Sequence, residues 1–297
     1  MSDEEDDHMM LGGHTAESSG PTEQFEALYL DADDTQQRVP WDQLPDMLDG
    51  LHRAARSFPS YRGQRNFPGW YWSATLRRRI GFESWVQRDH LVALDRDPSV
   101  IGIAVRPFWL LWTEEEPRHP TDTRNSGTGT KPRRHAPDFL ALLEHGEVLV
   151  LDTQPTEPIR PAAQEAFEVT ARACATLGWR YTIAERLDEL TVTNQKWLAG
   201  YRHPRCFTPH IAERLLEVFT RPRPLMDGAE LTGDPLATLP VLYHLLWTQQ
   251  LQADLSLTLS DRTIVQSATP TPPAKTPTTV ALVNISPRGL VTMTHDG

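Results

Sequence analysis

Two aspartates and a glutamine at neighbouring apolar runs are the residues of this sequence best suited to chemistry. Asp138 follows Pro137 within RRHAPDFLALL, and Asp152 and Gln154 end the next run, EVLVLDTQ. Because side chains alternate between the two faces of a strand, Asp152 and Gln154 should point to the same side. A short hairpin between the two runs would bring Asp138 beside them.

Carboxylates grouped in this way are typical of a site for a hard divalent cation. Mg²⁺ prefers oxygen ligands and usually takes one or two carboxylates together with waters and substrate phosphate. A bound ion can acidify a water molecule and stabilise the transition state of phosphodiester hydrolysis. Either aspartate alone is more often a capping or solvated residue, but Asp152 ends an otherwise apolar strand, where an unpaired charge is unfavourable. The combination therefore favours a metal-dependent hydrolase.

The spacing of apolar residues predicts the elements that must position these groups. A helix is expected from Gly81 to about Leu94, and it would carry Glu83 as a third candidate metal ligand. A glutamate beside an arginine-rich run can also form surface ion pairs. Further elements are expected as strands at 100–107, 108–113, 133–143 and 147–153, a helix at 163–177 ended by Gly178, and a strand at 179–183. This order predicts an α/β fold with a mixed sheet flanked by helices.

The segment 201–266 differs in character and predicts a small C-terminal winged-helix-like module. The run PHIAERLLEVF predicts one helix, a second begins at Asp234 and Pro235, and strands at 255–259 and 263–265 would form the wing. Its second helix contains LPVLYHLLW, so burial or contact with a partner protein competes with insertion into a DNA groove. The polar residues of that helix that could contact base edges are His244, Thr248 and Gln249.

The net charge of −11 is unevenly distributed along the chain. Residues 1–38 hold eleven acids against one arginine, whereas residues 52–90 hold eight arginines against two acids. The basic stretch is interpreted either as a surface that contacts DNA phosphates or as a solvated arginine-rich face. The residues expected to bind DNA are Arg62, Arg65, Arg77, Arg78 and Arg79.

Composition divides the chain into two terminal tails and two folded domains. Residues 1–24 are expected to form a disordered acidic tail, and residues 267–297 a Thr/Pro-rich tail. The catalytic domain would span 25–200 with a basic N-terminal extension at 39–80, and the winged-helix-like domain would follow at 201–266. Within the extension, a short helix is expected in 39–60 and an ordered loop at 61–72.

The remaining features exclude several classes of protein. No apolar run approaches the roughly 20 residues needed to cross a bilayer, and the acidic N-terminus is unlike a signal peptide, so we expect a cytoplasmic protein without a membrane partner. Cys174 and Cys206 are expected to be reduced thiols. Three histidines lack ligand spacing and are expected at the surface rather than on zinc: His135, His145 and His203. Most tryptophans should pack in the core, whereas Trp72 near the arginines is a candidate for stacking on bases.

Three runs of the sequence resemble the TnsA-like endonuclease subunits of heteromeric transposases: FPGWYWSATLRRRIGFESWVQRDHLVALDRDPSVIGIAVRPFWLLW, HAPDFLALLEHGEVLVLDTQP and GWRYTIAERLDELTVTNQKWLAGYRHPR. The resemblance covers roughly Val39 to Val265. It implies a restriction-endonuclease-like catalytic domain with a C-terminal winged helix, and dependence on Mg²⁺ or Mn²⁺ without a small-molecule cofactor. It also implies cleavage of double-stranded DNA at transposon ends beside a separate transposase subunit.

The resemblance also assigns roles to individual residues. Glu83, Asp138 and Asp152 take the acidic metal-ligand positions, and Gln154 takes the catalytic position that a lysine usually holds. A neutral amide cannot supply the fixed positive charge of a lysine near the scissile phosphate, and losing one such contact commonly lowers the rate by about 10²–10³. Another cation would then have to compensate, for which the candidates are Arg133, Arg134 and Arg160.

Gln154 therefore leaves more than one function open. The first is a metal-dependent endonuclease subunit in DNA transposition. The second is a catalytically impaired subunit that binds DNA and assembles with a transposase. A third is a stand-alone defence or repair nuclease with the same fold.

Overall fold

A computed structural model describes residues 24–51, 53–55, 67–115, 130–154, 160–268 and 282–283. The predicted acidic tail, apart from Gln24, and most of the Thr/Pro-rich tail lie outside these residues. So do Arg62 and Arg65, two of the arginines expected to bind DNA. The described residues form a mixed α/β structure, as the order of apolar patterns predicts.

The N-terminal half of the chain is rich in strands. In chain order it forms β1 (Glu26–Leu30), β2 (Gln36–Pro40), a 3₁₀ helix (Trp41–Gly50), β3 (Gly69–Ser73), β4 (Arg78–Phe82), α1 (Trp85–Arg96), β5 (Val100–Val105), β6 (Trp109–Glu115), β7 (Thr130–His135), β8 (Phe139–Leu143) and β9 (Val148–Thr153).

The rest of the chain is mainly helical. It forms α2 (Pro161–Thr176), β10 (Arg180–Ala184), α3 (Glu189–Ala199), a 3₁₀ turn (Pro204–Cys206), α4 (Pro209–Val218), β11 (Arg223–Pro224), α5 (Leu225–Thr232), α6 (Pro235–Trp247), β12 (Leu251–Gln252), β13 (Ile264–Ser267) and β14 (Leu282–Val283).

The central sheet has the strand order β14-β10-β9-β8-β5. Strand β8 pairs antiparallel with both β5 and β9, whereas β10 runs parallel to β9 after the α2 crossover. Leu149 and Leu151 of β9 pack in one apolar cluster with Phe139, and the alternate residues Val148 and Val150 pack in a second cluster. Both faces of the sheet are therefore covered, which explains why β9 is an almost continuous apolar run.

The β8–β9 hairpin agrees with the prediction. Its turn contains Gly146 at φ +77°, a left-handed conformation that glycine adopts without steric cost. The predicted helix before β10 is present as α2, and Gly178 follows it at φ +68°. These features depend on contacts between residues close in sequence.

Several other predicted elements differ in the structure. The segment expected to be a loop contains β3, which pairs with β4, and the helix expected in 39–60 is a 3₁₀ helix. The run 133–143 is broken before Asp138, so β7 joins β6 in the sheet β2-β1-β6-β7 while β8 joins the central sheet. Of the two strands expected in the C-terminal part, the one at 263–265 is present as β13, whereas 255–259 forms no strand and β13 pairs instead with β12. Helices α3 and α5 were not predicted.

Asp95 attaches the β3–β4 hairpin to α1. Its carboxylate accepts hydrogen bonds from the hydroxyls of Tyr71 and Ser73 and from the backbone N–H groups of Ala74 and Thr75. The carboxylate is buried. Since these donors come from the end of β3 and the turn after it, this one side chain fixes the hairpin that carries the arginine run.

The C-terminal part places three helices beside a small sheet of order β11-β13-β12. Helix α6 is buried along its C-terminal half and packs against both α3 and α5. His244 hydrogen-bonds the carbonyl of Tyr201, and Gln249 donates to the carbonyl of Arg96. Thr248 donates within its own helix. The three polar residues considered for base contacts therefore form hydrogen bonds within the protein, because α6 packs against other parts of the chain.

Cys174 and Cys206 are both free thiols, and Cys174 is buried in the core, as expected. Among the described residues, no helix is both long and apolar enough to cross a membrane.

Candidate functional site

Asp138 and Asp152 lie together where β8 begins and β9 ends. The register pairs Phe139 with Leu151, which places the preceding aspartate of one strand beside the following aspartate of the other. The backbone N–H of Asp138 donates to Oδ1 of Asp152 at 3.2 Å. The antiparallel hairpin thus produces the proximity that the sequence predicts.

Thr153 fixes the carboxylate of Asp138. Its backbone N–H and its hydroxyl both donate to Oδ2 of Asp138, at 3.0 and 2.6 Å. The other oxygen, Oδ1, accepts from the side-chain amide of Gln87 at 2.8 Å. The orientation of this carboxylate is therefore set from two directions, by β9 and by α1.

Asp152 is held by two side chains from other strands. The hydroxyl of Tyr181 donates to its Oδ2 at 2.6 Å, and Nε2 of His135 lies 2.8 Å from the same oxygen. The expectation that His135 has a surface role is wrong, since its ring reaches this buried carboxylate from the end of β7. That contact arises because β7 and β8 separate after His135.

Glu83 lies between β4 and α1, and not on the helix that the sequence predicts. Ser84 is the N-cap residue of α1, and its side chain accepts from the backbone N–H of Gln87. The backbone N–H of Glu83 donates to Oε1 of Gln87 at 2.7 Å. Gln87 therefore links Glu83 to Asp138 through the two ends of its own amide.

The cation in this cluster is Arg106. Its Nη2 lies 2.6 Å from Oε2 of Glu83 and 3.3 Å from Oδ1 of Asp138. The arginines named from sequence lie elsewhere: Arg133 pairs with Glu114, and the guanidinium of Arg134 stacks over Trp109. The sequence carries a signal for Arg106, because a charged residue between the apolar runs IGIAV and FWLLW needs a partner just as Asp152 does.

Gln154 follows β9 directly. Its backbone N–H donates to the carbonyl of Ala184 at 2.8 Å and continues the pairing of β9 with β10. Its side-chain amide makes no hydrogen bond with any residue that the structure describes. The amide is therefore placed beside Asp152 in sequence but is not part of the network that orients the acids.

Burial and proximity shift the protonation equilibria of the cluster. Burial raises the pKa of Asp138, and the nearby charge of Asp152 raises it further. Burial alone would lower the pKa of His135, but the carboxylate of Asp152 more than offsets this and raises it. Burial and the same carboxylate raise the pKa of Tyr181 well above its usual value. Tyr181 therefore stays protonated and remains a donor to Asp152.

The acids of the cluster offer a divalent metal ion few oxygen ligands that converge on one point. Within the described ranges, no group of three or more His, Cys, Asp or Glu residues is arranged to hold one. Glu83 and Asp138 nevertheless direct one oxygen each at a single positive group, the Nη2 of Arg106. Carboxylate oxygens are the ligands that Mg²⁺ and Mn²⁺ prefer. The two acids thus fit a hard cation at the position that the guanidinium now fills.

An arginine-bearing and aromatic surface lies on the elements that lead into the cluster. Arg77 and Arg79, on the β3–β4 hairpin, are exposed, and Arg78 between them is partly buried. At the start of α1 the guanidinium of Arg88 lies 4.3 Å from the ring centroid of Trp85, which stacks on Phe67. Trp85 begins α1 only two residues after Glu83. This surface therefore adjoins the acids along the chain.

Trp72 does not belong to this exposed surface. Its ring stacks on His203 at 5.1 Å, and Arg202 lies over both Tyr71 and Trp72. The ring expected to stack on bases is therefore engaged with the segment that follows α3. Trp70 is the more exposed tryptophan of β3, at 69%.

Comparisons of the sequence with family models and with curated proteins give no match that would assign a function. No family model matches the chain, and no curated protein matches it. The chemistry must therefore be inferred from the buried acids, their cation and the adjacent arginines.

Proposed function

We propose that this protein is a metal-dependent DNA endonuclease subunit that acts at transposon ends together with a separate transposase subunit. The observation that carries the proposal is the meeting of Glu83, Asp138 and Asp152 at one end of a mixed sheet. These acids are separated in sequence: Glu83 lies between β4 and α1, Asp138 directly precedes β8, and Asp152 lies in β9. Burying three acids in one place is unfavourable unless cations accompany them, so such a cluster is a sign of function.

The order of elements supports the proposal. Helix α1, strands β5 to β9, helix α2 and strand β10 follow one another in the chain, and β5, β8, β9 and β10 form the mixed central sheet expected for a restriction-endonuclease-like core. In the C-terminal part, the order helix, strand, helix, helix, strand, strand agrees with a winged-helix module. Both are what the resemblance to TnsA-like subunits implies.

The roles of the residues follow from their contacts. A divalent metal ion would supply charge neutralisation and acidify the attacking water. Glu83 and Asp138 would hold it, while Thr153 and Gln87 fix the direction of the Asp138 carboxylate. Tyr181 and His135 hold Asp152 beside this pair. Arg77 and Arg79 would contact phosphates of double-stranded DNA, an interaction that does not depend on sequence.

Nicking of supercoiled DNA tests the proposal. The purified protein would be incubated with Mg²⁺ or Mn²⁺, with and without the transposase encoded nearest to its gene. Asp138→Ala should abolish metal-dependent nicking, whereas Asp227→Ala, at an exposed aspartate of α5, should retain it. Nicking that persists in Asp138→Ala would refute the assignment of the site.

A second candidate function is a DNA-binding and assembly subunit that does not cut. Two observations favour it: a guanidinium lies between Glu83 and Asp138, and the neutral Gln154 stands where the resemblance implies a lysine. The variant Gln154→Lys separates the two functions. If the native protein is silent and Gln154→Lys nicks DNA, the site is intact but lacks a charge, and the native role is architectural.

A further inference from the structure

Arg106 has an unusual backbone conformation that its neighbours hold in place. Its φ is +49°, a left-handed conformation that side chains other than glycine adopt rarely. Its N–H donates to the carbonyl of Asp138 at 2.9 Å, and its own carbonyl accepts from the N–H of Ala55 at 2.8 Å. Such conformations are unfavourable for a residue with a Cβ atom and persist where surrounding contacts impose them. The backbone of Arg106 is thus tied to the residue whose carboxylate its side chain contacts.

The guanidinium serves as the counter-ion of the acid pair. Arg106 is only 6% exposed, and Nη2 is shared between Glu83 and Asp138. Nε of Arg106 is buried and has no hydrogen-bond partner in the part of the chain that the structure describes. The side chain therefore gives up one hydrogen bond while neutralising the acids, which indicates that its charge is what the position requires.

We propose that Arg106 occupies the metal position in the resting protein, and that a divalent cation binds Glu83 and Asp138 only by replacing the guanidinium. This inference rests on the proposed function, because it concerns the regulation of the same site. Two cations cannot share these two oxygens, since each would repel the other at contact distance. Arg106 therefore lowers the affinity of the acid pair for metal.

DNA provides the natural partner for the displaced guanidinium. Arginine binds phosphate with two parallel hydrogen bonds, so a phosphate beside the acids offers Arg106 an alternative to Glu83. Once the guanidinium moves to phosphate, the acids are free for metal and a positive charge stands near the substrate. This charge would take the place of the lysine that Gln154 replaces. The acid pair would therefore bind metal when DNA is bound, and the guanidinium would block metal binding when DNA is absent.

Mn²⁺ binding to the full chain tests this, with free Mn²⁺ measured by electron paramagnetic resonance in the absence of DNA. Arg106→Gln should bind Mn²⁺ at least about tenfold more tightly than the native protein, because a positive charge near the site is removed. Arg106→Asn removes the same charge, and asparagine adopts a positive φ more readily, so this variant should show a similar gain in Mn²⁺ affinity. Arg106→Lys should stay near the native affinity. Arg134→Gln, at an exposed arginine, is the matched control.

The stability of the variants supplies a second readout. Without metal, Arg106→Gln and Arg106→Asn should melt at lower temperature than the native protein, and Mn²⁺ should raise their melting temperature by more than it raises the native one. If neither variant folds even with Mn²⁺, the proposal is overturned, because a metal at the same position would replace the lost cation. It is also overturned if both fold and bind Mn²⁺ with native affinity.

Asp138→Asn separates this inference from the proposed function. If native Mn²⁺ binding depends on Asp138 but is unaffected by the loss of Arg106, the metal site stands and the inference about Arg106 fails. If no Mn²⁺ binding in any variant depends on Asp138, the metal-dependent function fails as well.

Discussion

Removing the carboxylate of Asp95 should loosen the hairpin that carries the arginine run. In Asp95→Ala, four donors lose their acceptor: the hydroxyls of Tyr71 and Ser73 and the N–H groups of Ala74 and Thr75. Each buried donor left without a partner costs roughly 1–3 kcal/mol, and water entering at the turn would satisfy the two backbone groups. The two hydroxyls then dominate, so the free energy of unfolding should fall by about 2–6 kcal/mol.

Chemical denaturation monitored by tryptophan fluorescence measures this loss. Asp95→Asn keeps one of the two acceptor oxygens, although its amide adds two donors in place of the other. Two of the four hydrogen bonds can therefore persist, and the loss in the free energy of unfolding should be about half that of Asp95→Ala. Asp97→Ala, two residues further along the chain, is a matched control, because among the described residues the Asp97 carboxylate accepts hydrogen bonds only from Ser99. A loss below about 1 kcal/mol in Asp95→Ala would refute the argument, since it would mean that β3 and β4 stay docked without this carboxylate.

Three further predictions concern pH, the acidic cluster and DNA. Burial lowers the pKa of His90 in the folded state, so the unfolded chain takes up a proton first as pH falls below about 6.5. Between pH 7.5 and pH 5.5, His90→Gln should therefore lose less of its free energy of unfolding than the native protein does. An equal loss in both proteins would contradict this. Tyr181→Phe removes a charge-assisted hydrogen bond to Asp152, so it should lower the free energy of unfolding by about 1.5–3 kcal/mol. The rate of DNA nicking should fall as well. An unchanged melting curve would count against that contact. Replacing both Arg77 and Arg79 by glutamine should weaken binding to any DNA duplex and reduce the salt dependence of the affinity by about two ions. Arg262→Gln, at an exposed arginine of the C-terminal part, should change neither. Equal effects of the two replacements would mean that the β3–β4 hairpin is not part of the DNA-binding surface.

The proximity of Asp138 and Asp152 could be predicted because residues close in sequence decide that geometry. Asp138 and Asp152 meet because a short turn containing Gly146 returns the chain antiparallel, and both parts of that pattern lie within about twenty residues. Glu83 also reaches the cluster, but from the segment before the N-cap of α1. The helical spacing of apolar residues near Gly81 does not reveal that β4 continues to Phe82, because strand pairing with β3 overrides it.

Arg106 and His135 were missed for a different reason. Arg106 follows β5 of the central sheet and His135 ends β7 of the other sheet, and their contacts with the acids span 17 to 32 residues in sequence. A single sequence indicates that a buried charge needs a partner but not which partner it finds. The same limit applies to α6, whose apolar run left open whether it faces DNA, a partner or the rest of the chain.

The sequence by itself determined the α/β class, the β8–β9 hairpin, the crossover helix α2 and the proximity of Asp138 and Asp152, because alternation, helical spacing and turn residues are local properties. Only the tertiary structure decided that β7 and β8 part into different sheets, that α6 is buried against α3, and that Arg106 lies between Glu83 and Asp138. These outcomes depend on which apolar faces and which charges meet when distant segments pack. Packing free energy, rather than local propensity, selects among those arrangements.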